Sequence, residues 1–324
     1  MRIGFVVALV GLCLGGFTAA GHAEEGGKPE GTEGSAFQEL YEHPNKGNEA
    51  FKFVQGDASL ALNLRSQVQS AFLVGDDSLI ENWDPATTRG FRLRRGRLGF
   101  HGAYDEMLGL NLVLNLYEQD AGGNTIHAAN IVLKPATWAN FAIGTAPLPF
   151  SRGSMTSSAR LQMIERAVTT TQLTPESQLG AAFLGSLFGG ILEYAGGVYN
   201  GGPGYTEADR GDGLLYAARL QVSPVGPMSS DESDYGRSPA LVALGADYDD
   251  SDDSSVVTHA ASVDLRFKWR GRAVTGEYLM DRREPEDKPA LPPSLPDTTE
   301  REGWYVQAGY FVVPKMVELA GRYE

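Results

Sequence analysis

Four arginines lie close together in residues 91–100, which read F-R-L-R-R-G-R-L-G-F. They are Arg92, Arg94, Arg95 and Arg97. The formal net charge of the chain is −14, so this cluster of guanidinium groups creates a steep positive field against an acidic background. A field of this kind steers small anions into a pore and requires no catalytic step. The cluster therefore predicts a path for anions.

The four arginines share one face of a strand only if the strand contains an irregularity. Phe91 and Leu98 are both apolar but occupy opposite phases of a two-residue repeat. A single bulge between Arg94 and Gly96 restores a common phase, because one additional residue shifts the parity and glycine tolerates the geometry. With that bulge, all four arginines are predicted to face inward.

Six further cations are predicted to line the same path: Arg152, Arg160, Arg166, Arg219, Arg266 and Lys268. The first three lie in residues 147–177, a long segment that brings positive charge near the axis of a pore if it folds inward. The other three fall inside predicted strands. An alternative stays open, because interior arginines also form ion pairs that only hold the structure together. Arg166, for example, could pair with Glu165.

Strands must position these side chains, because apolar and polar residues alternate along much of the chain. Residues 108–117 place leucines on one side and Asn111 and Asn115 on the other. In residues 263–270, four apolar residues alternate with four charged ones, and a basic residue turned toward hydrocarbon costs roughly 2–4 kcal/mol. The charged face is therefore predicted to line a lumen and the apolar face to contact lipid. About thirteen such strands begin near residues 60, 91, 108, 126, 138, 179, 191, 214, 240, 257, 272, 304 and 316.

The connections between these strands alternate in length, which favours a membrane barrel over a soluble β-sandwich. Short turns, such as residues 105–107 and 271–272, alternate with long loops such as residues 147–177. One connection breaks the rule, because residues 223–239 stand where a short turn is due and the sequence offers no reason for their length. The acidic residues 247–253 are predicted to lie in a solvated loop, with divalent-cation binding as the alternative.

The N-terminal residues predict export. Residues 1–23 combine Arg2, a short apolar run and a small-residue end, as in a cleaved signal peptide. Residues 24–55 are predicted to form a flexible periplasmic segment and residues 56–324 the barrel domain. The single cysteine, Cys13, lies within the signal, which disfavours a small disulfide-linked domain. The negative net charge argues against nucleic-acid binding.

Several stretches resemble the phosphate-selective porin O and P family of Gram-negative outer membranes. They are residues 91–102, F-R-L-R-R-G-R-L-G-F-H-G, residues 146–166, A-P-L-P-F-S-R-G-S-M-T-S-S-A-R-L-Q-M-I-E-R, and the final residues 303–324. The resemblance spans residues 55–324. It implies a barrel of sixteen strands, usually a homotrimer, in which the third loop folds into the lumen and basic residues line an anion path.

The strand count predicts a C-terminally truncated chain. A cylinder of sixteen strands would need about three more than the sequence pattern supplies. The chain ends on Arg322, Tyr323 and Glu324, without the terminal aromatic residue that the resemblance implies. We therefore expect an all-β protein, an incomplete transmembrane antiparallel β-barrel.

These features predict a passive channel in the bacterial outer membrane for inorganic phosphate or other small anions, surrounded by lipid and lipopolysaccharide. Two alternatives stay open: a general diffusion porin with little selectivity, and a secreted β-sandwich or adhesin module. No enzyme is predicted, because the histidines are widely separated and no H-E-x-x-H or nucleophile-elbow motif lies near them. No cofactor and no metal are expected.

Overall fold

The computed structural model of the chain describes residues 51–71, 90–105, 107–118, 126–175, 177–201, 213–253, 256–285 and 298–324. Its strands are β1 (Phe51–Gln55), β2 (Ala58–Ala71), β3 (Gly90–Tyr104), β4 (Leu108–Glu118), β5 (Ile126–Ala136), β6 (Ala139–Ala146), β7 (Gln178–Leu187), β8 (Leu192–Tyr199), β9 (Leu215–Val222), β10 (Leu241–Asp253), β11 (Val256–Trp269), β12 (Arg272–Pro285), β13 (Thr299–Val313) and β14 (Val317–Tyr323). Two short helices, α1 (Arg152–Met155) and α2 (Val168–Leu173), lie between β6 and β7. Within the described ranges, no helix is long and apolar enough to span a membrane.

The fourteen strands form one sheet in which each strand pairs antiparallel with its neighbours in the sequence. β1 pairs with β2 and β14 pairs with β13, so these two strands are the edges of the described sheet. Consecutive antiparallel pairing needs only tight turns, such as Arg270 and Gly271 between β11 and β12, with φ of 49° and 83°. A single meandering sheet contradicts the alternative of a two-layer β-sandwich.

The two faces of the sheet have opposite polarity, as the alternation predicts. In β4, Leu110 and Leu112 are 45% and 37% exposed, whereas Asn111 between them is 6% exposed. In β11, Leu265 is half-exposed while the neighbouring Arg266 is almost completely buried. In these two strands the outer face is therefore apolar and the inner face mainly polar, which is the reverse of a soluble core.

The bulge predicted in β3 is present. The pairing of β2 with β3 skips Arg94, which lies between the paired residues Leu93 and Arg95. The phase of β3 changes at this point, so that Arg95 and Arg97 are both buried on the inner face. The side chain of Arg92 lies outside the described part of the structure.

A row of polar side chains crosses the inner face from β2 to β5. Asn63 Nδ2 donates to Nε2 of His101 over 2.7 Å, and His101 Nδ1 donates to Oδ1 of Asn111 over 2.8 Å. Asn111 Nδ2 donates in turn to Oδ1 of Asn130 over 2.9 Å. All four residues are buried, and a buried polar group without a partner costs about 1–3 kcal/mol. The row therefore favours one register for four neighbouring strands.

The acidic residues 247–253 form a strand and not the predicted loop, because β10 continues to Asp253. Asp247 and Asp249 alternate onto the inner face, where both are buried. Asp247 lies 2.6 Å from a guanidinium nitrogen of Arg219, so a cross-strand cation neutralises this carboxylate. Aspartate disfavours strands by itself, and the buried cation overrides that preference.

The sheet also begins earlier than predicted. β1 starts at Phe51, inside the segment 24–55 that the sequence predicts to be flexible. All five side chains of β1 are exposed. Because β1 has no buried face, its sequence lacks the sustained apolar–polar alternation from which the other strands are predicted. The predicted signal peptide, residues 1–23, and residues 24–50 lie outside the described residues.

Candidate functional site

Residues 147–177, which we call the third loop, connect β6 to β7 and pack against the inner face of the sheet. The buried apolar side chains of the third loop are Leu148, Phe150, Met155 and Leu173. They belong to one cluster with inner-face residues such as Leu184 of β7 and Ala217 of β9. Burial of a side chain of this size contributes about 1.5–3 kcal/mol, so the third loop is a packed part of the interior.

The carboxylate of Glu277 on β12 binds the N-terminal end of α1. The backbone N–H groups of Arg152 and Gly153 donate to the two carboxylate oxygens of Glu277 over 2.7 and 3.1 Å. The hydroxyl of Ser151 accepts from the N–H of Ser154 over 3.3 Å and caps the helix. These acceptors satisfy donors that the first turn of a helix leaves unpaired. Glu277 thus positions the first part of the third loop.

Glu165 connects the second part of the third loop to β3. Arg94 Nε lies 2.9 Å from Oε1 of this carboxylate, and Arg95 Nη2 lies 2.9 Å from Oε2. Burial by itself raises the pKa of Glu165, but the positive charges of Arg95 and Arg94 outweigh it and hold the pKa below its ordinary value. The carboxylate is therefore ionised at neutral pH and bridges the two arginines.

The inner face of β2 and β3, which we call the basic wall, contacts the third loop at a second point. Ser158 Oγ accepts from Nη1 of Arg65 over 2.8 Å and from Nη1 of Arg97 over 3.3 Å. Arg97 Nε also donates to Oδ1 of Asn115 over 3.1 Å. The segments β2 and β3 contain one and four arginines and neither aspartate nor glutamate. The two strands therefore contribute only positive charge to this side of the interior.

Arg219 lies on β9, away from the basic wall. Its Nη1 is 2.6 Å from Asp247 and its Nη2 is 2.6 Å from Asp264, and all three side chains are fully buried. The two carboxylates neutralise the guanidinium and shield it from any solute, so Arg219 forms a structural ion pair and does not line an anion path. We call the inner face of β9 to β11 around Arg219 the ion-pair wall.

Arg266 and Lys268 face inward on β11, but residues 223–239 cover them. This segment, which we call the inner turn, connects β9 to β10. Arg266 donates from Nη1 to the carbonyl of Ser229 over 3.0 Å and from Nη2 to the carbonyl of Asp231. Lys268 Nζ donates to the same carbonyl of Asp231 over 2.6 Å. Backbone oxygens of the inner turn therefore bind both cations.

The three predicted arginines of the third loop have different surroundings. Arg152 donates from Nη2 to the carbonyl of Ser230 over 3.3 Å. Arg166 donates to two carbonyls of its own loop over 3.0 and 2.6 Å and braces the loop internally. Burial is the main reason that the pKa of both Arg152 and Arg166 lies below its ordinary value. The Nε of Arg160 is 3.8 Å from Oδ1 of Asp231.

Two residues that were not singled out from the sequence complete the site. Arg322 on β14 donates from Nη1 to the carbonyl of Glu165 over 2.8 Å and from Nη2 to the carbonyl of Arg166 over 3.0 Å. Glu277 holds α1 as described above. Strand alternation places both side chains on the inner face, but it gives no indication of the loop atoms that they contact.

Guanidinium groups give the site its chemistry. They offer parallel N–H donors that match the oxygen atoms of phosphate and carboxylate groups. The arrangement can therefore attract and orient anions without transferring a proton or forming a bond. In the part of the chain that the structure describes, no group of histidine, cysteine, aspartate and glutamate side chains forms a metal site.

Two solved structures are similar to this chain to different degrees. The anion-selective porin from Comamonas acidovorans is similar with a TM-score of 0.50 and 12% identity, over 82% of this chain and 78% of that chain. OmpTdeltaL8, an outer membrane protein of Vibrio cholerae, matches with a TM-score of 0.39 and 9% identity, over 82% of this chain and 95% of that chain. The likeness to the Comamonas porin shows that the fold is a transmembrane antiparallel β-barrel, incomplete over the described strands.

Sequence comparison points the same way. An uncharacterized protein of Aquifex aeolicus is 26% identical over 212 residues, which are 56% of this chain and 49% of that protein. This chain thus spans about half the length of the curated relative that it matches. The family model of phosphate-selective porin O and P matches residues 65–324, most of the chain. The chain therefore belongs to the phosphate-selective porin O and P family.

Proposed function

We propose that this chain forms a passive outer-membrane channel for small anions, with inorganic phosphate among its solutes. The observation that carries the proposal is the basic wall, which contains Arg65, Arg94, Arg95 and Arg97 on two neighbouring strands without an acidic residue. The third loop packs across the same interior and contacts Arg65, Arg94, Arg95 and Arg97. The fold shared with an anion-selective porin supports this proposal, and family and fold favour a channel over an enzyme.

The outer face supports a location in the bacterial outer membrane. Apolar side chains such as Leu110, Val263 and Leu319 are exposed there, together with aromatic residues such as Tyr278 and Trp304. Lipid can solvate this face because the sheet pairs the backbone groups of its own strands. We include in the proposal lipid and lipopolysaccharide as surroundings, export through the periplasm, and the homotrimer that the family resemblance implies.

The zero-current potential across a KCl gradient tests the proposal. The protein produced from its complete gene would be inserted into planar bilayers, and the sign of the potential reports whether chloride or potassium permeates more easily. We expect an anion-selective sign, because the basic wall concentrates anions at the third loop. A cation-selective sign would contradict the proposal. Added phosphate should reduce the chloride current if both anions share one path.

Variants of the basic wall locate the selectivity. The double variant Arg65→Gln/Arg97→Gln removes two charges beside Ser158 and should shift the zero-current potential toward zero. Arg282→Gln is the matched control, because Arg282 also lies on a strand but is more than half exposed on the outer face. The control should leave the potential unchanged. Equal potentials for all three proteins would place the selectivity elsewhere.

A general diffusion porin with little selectivity is the second candidate. It is favoured by Glu165, which neutralises part of the charge of Arg94 and Arg95, and by Asp231 beside Arg160. A zero-current potential close to zero that does not respond to Arg65→Gln/Arg97→Gln would support this candidate over the first.

A further inference from the structure

The inner turn is longer than its position in the sheet requires. β9 and β10 are antiparallel neighbours, and two residues suffice to join such strands. Other connections at the same end are short, since residues 270–271 join β11 to β12 and residues 314–316 join β13 to β14. The third loop lies at the opposite end, because successive antiparallel strands reverse direction. The inner turn and the third loop therefore enter the interior from opposite ends.

The inner turn is built onto the inner face of strands that do not adjoin β9. The inner turn contacts β11, as described above, and it also contacts β13, where Oε2 of Glu232 accepts from Nε2 of Gln307 over 2.8 Å. Ser233 Oγ donates to Oε2 of Glu318 on β14 over 2.7 Å. Glu232, Ser233 and Asp234 are all buried. The inner turn thus crosses the interior from β9 to β14 and is held there by specific hydrogen bonds.

The inner turn and the third loop meet inside the sheet. The backbone N–H of Gln162 donates to Oε2 of Glu232 over 2.7 Å, and the backbone N–H of Glu232 donates to the carbonyl of Arg160 over 3.0 Å. The contact of Arg152 with Ser230 lies at the same junction. The two segments are therefore joined by direct hydrogen bonds inside the sheet.

The inner turn also changes the charge that a solute meets. Residues 229–234 read S-S-D-E-S-D and bring three carboxylates into the interior. Its backbone carbonyls bind the charged groups of Arg266 and Lys268, which are 1% and 2% exposed. Asp231 lies beside Arg160 of the third loop. Each of these contacts removes positive charge from the anion path.

We propose that the inner turn is a second constriction element that narrows the channel and lowers its anion preference. Its backbone covers two cations of β11, and its Asp231 carboxylate offsets a cation of the third loop. The sign of the effect on selectivity rests on the proposed anion channel. The effect on pore width does not depend on that function.

Shortening the inner turn tests this proposal in the complete protein. In the variant, the dipeptide Asn-Gly replaces residues 225–238, because this pair favours a tight hairpin turn. We expect the single-channel conductance to rise by about twofold or more, with a shift of the zero-current potential toward stronger anion preference. Heat-modifiable migration on a gel confirms that the barrel has formed. A folded variant with unchanged conductance and potential would overturn the proposal.

A point variant keeps the proposal testable if the shortened chain does not fold. Asp231→Asn leaves the backbone of the inner turn in place and removes the carboxylate beside Arg160. It should increase anion preference while the conductance stays nearly constant. Asp250→Asn, on the long strand β10 and away from the inner turn, is the control for a general change in charge. Equal shifts in both variants would contradict a specific role of Asp231.

Cysteine labelling measures the covering of β11 independently of conductance. Cys13, the one cysteine of the printed sequence, lies in the predicted signal peptide. Lys268→Cys therefore introduces one reporter thiol once any cysteine elsewhere in the complete protein is replaced by serine. A water-soluble maleimide should label it at least about tenfold more slowly with the inner turn present than in the shortened variant, since thiol reactivity follows exposure. Equal labelling rates would show that the inner turn leaves β11 open.

The two proposals can fail separately. If the unmodified channel is cation-selective but the shortened variant conducts more and labels faster, the anion channel is wrong and the second constriction stands. If the unmodified channel is anion-selective but neither conductance nor labelling responds to shortening, the anion channel stands and the second constriction is wrong.

Discussion

The basic wall and the ion-pair wall both bury arginines on the inner face, yet their chemistry differs. Arg219 lies between Asp247 and Asp264, so these two carboxylates neutralise its charge within the ion-pair wall. Arg65 and Arg97 instead meet at the hydroxyl of Ser158 in the third loop, on two strands that contain no acidic residue. The same residue type therefore pairs with strand carboxylates in one place and donates hydrogen bonds to the third loop in the other.

The difference comes from the residues on neighbouring strands. Arg219 and Asp247 are directly paired across β9 and β10, and Asp264 on β11 completes the set. A guanidinium placed opposite a carboxylate in a dry environment is neutralised by it, whereas a hydroxyl or amide oxygen accepts its hydrogen bond without carrying an opposite charge. An inward-facing arginine is thus a candidate for selectivity only when no carboxylate lies opposite it on a neighbouring strand.

Arg219→Gln should have the largest effect, and it should act on stability. It leaves Asp247 and Asp264 buried without their cation, which costs about 3–5 kcal/mol. The free energy of unfolding, from urea titration of the barrel refolded into lipid vesicles, should fall accordingly. The zero-current potential should change less than in Arg65→Gln/Arg97→Gln.

A compensated variant checks the reason for that loss. Arg219→Gln/Asp247→Asn/Asp264→Asn also removes the two carboxylates that Arg219→Gln leaves without a cation. It should recover much of the stability, because neutral amides need no cation. A loss of anion preference in Arg219→Gln, without a loss of stability, would show that the two walls do not differ in the way we describe.

Glu165→Gln tests the basic wall, whereas Arg219→Gln tests the ion-pair wall. Glu165 neutralises Arg94 and Arg95, so its removal should increase the anion preference of the basic wall. It should also destabilise the third loop by about 1.5–3 kcal/mol, since hydrogen bonds to charged groups are lost. Zero-current potential and open-channel current noise report the two effects. A decreased anion preference would show that Glu165 holds the arginines in the conducting position.

The same carboxylate predicts a dependence on pH. Because the pKa of Glu165 is lowered in the folded state, its stabilisation is fully present above the unfolded pKa, near 4.5, and is lost as pH falls through the lowered folded value. Current noise of the unmodified channel should therefore rise only below pH 4.5. Glu165→Gln should lack this step, and a noise increase at the same pH in both proteins would assign it to another group.

Features that depend on local pattern were predictable from the sequence, and features that depend on distant partners were not. The faces of the strands and the bulge at Arg94 follow from apolar periodicity, which any short window contains. Asp247 instead forms part of a strand because Arg219 lies opposite, and no local pattern shows that pairing. The inward path of residues 223–239 depends on partners on β11 to β14. The sequence therefore showed the unusual length of this segment but not its position in the interior.

Glu277→Gln should have a moderate effect that is confined to the third loop. The amide keeps an acceptor for one backbone N–H of α1 but weakens the charge-assisted contacts with Arg152 and Gly153, at a cost of about 1 kcal/mol. Hydrogen exchange at these two amides should accelerate about fivefold. Glu302→Gln, at an exposed position of β13, is the control and should leave exchange in the third loop unchanged.

Ser158→Ala should have the smallest effect, and it tests whether the third loop organises the basic wall. The variant removes an acceptor shared by Arg65 and Arg97, which contributes about 0.5–1.5 kcal/mol. Both charges remain, so the sign of the zero-current potential should persist while the third loop loosens slightly. If the hydroxyl acts through Arg65, the stability losses of Ser158→Ala and Arg65→Gln should be non-additive by about 0.5 kcal/mol or more. Additive losses would mean that the arginines keep their positions without the loop, and that selectivity belongs to the wall alone.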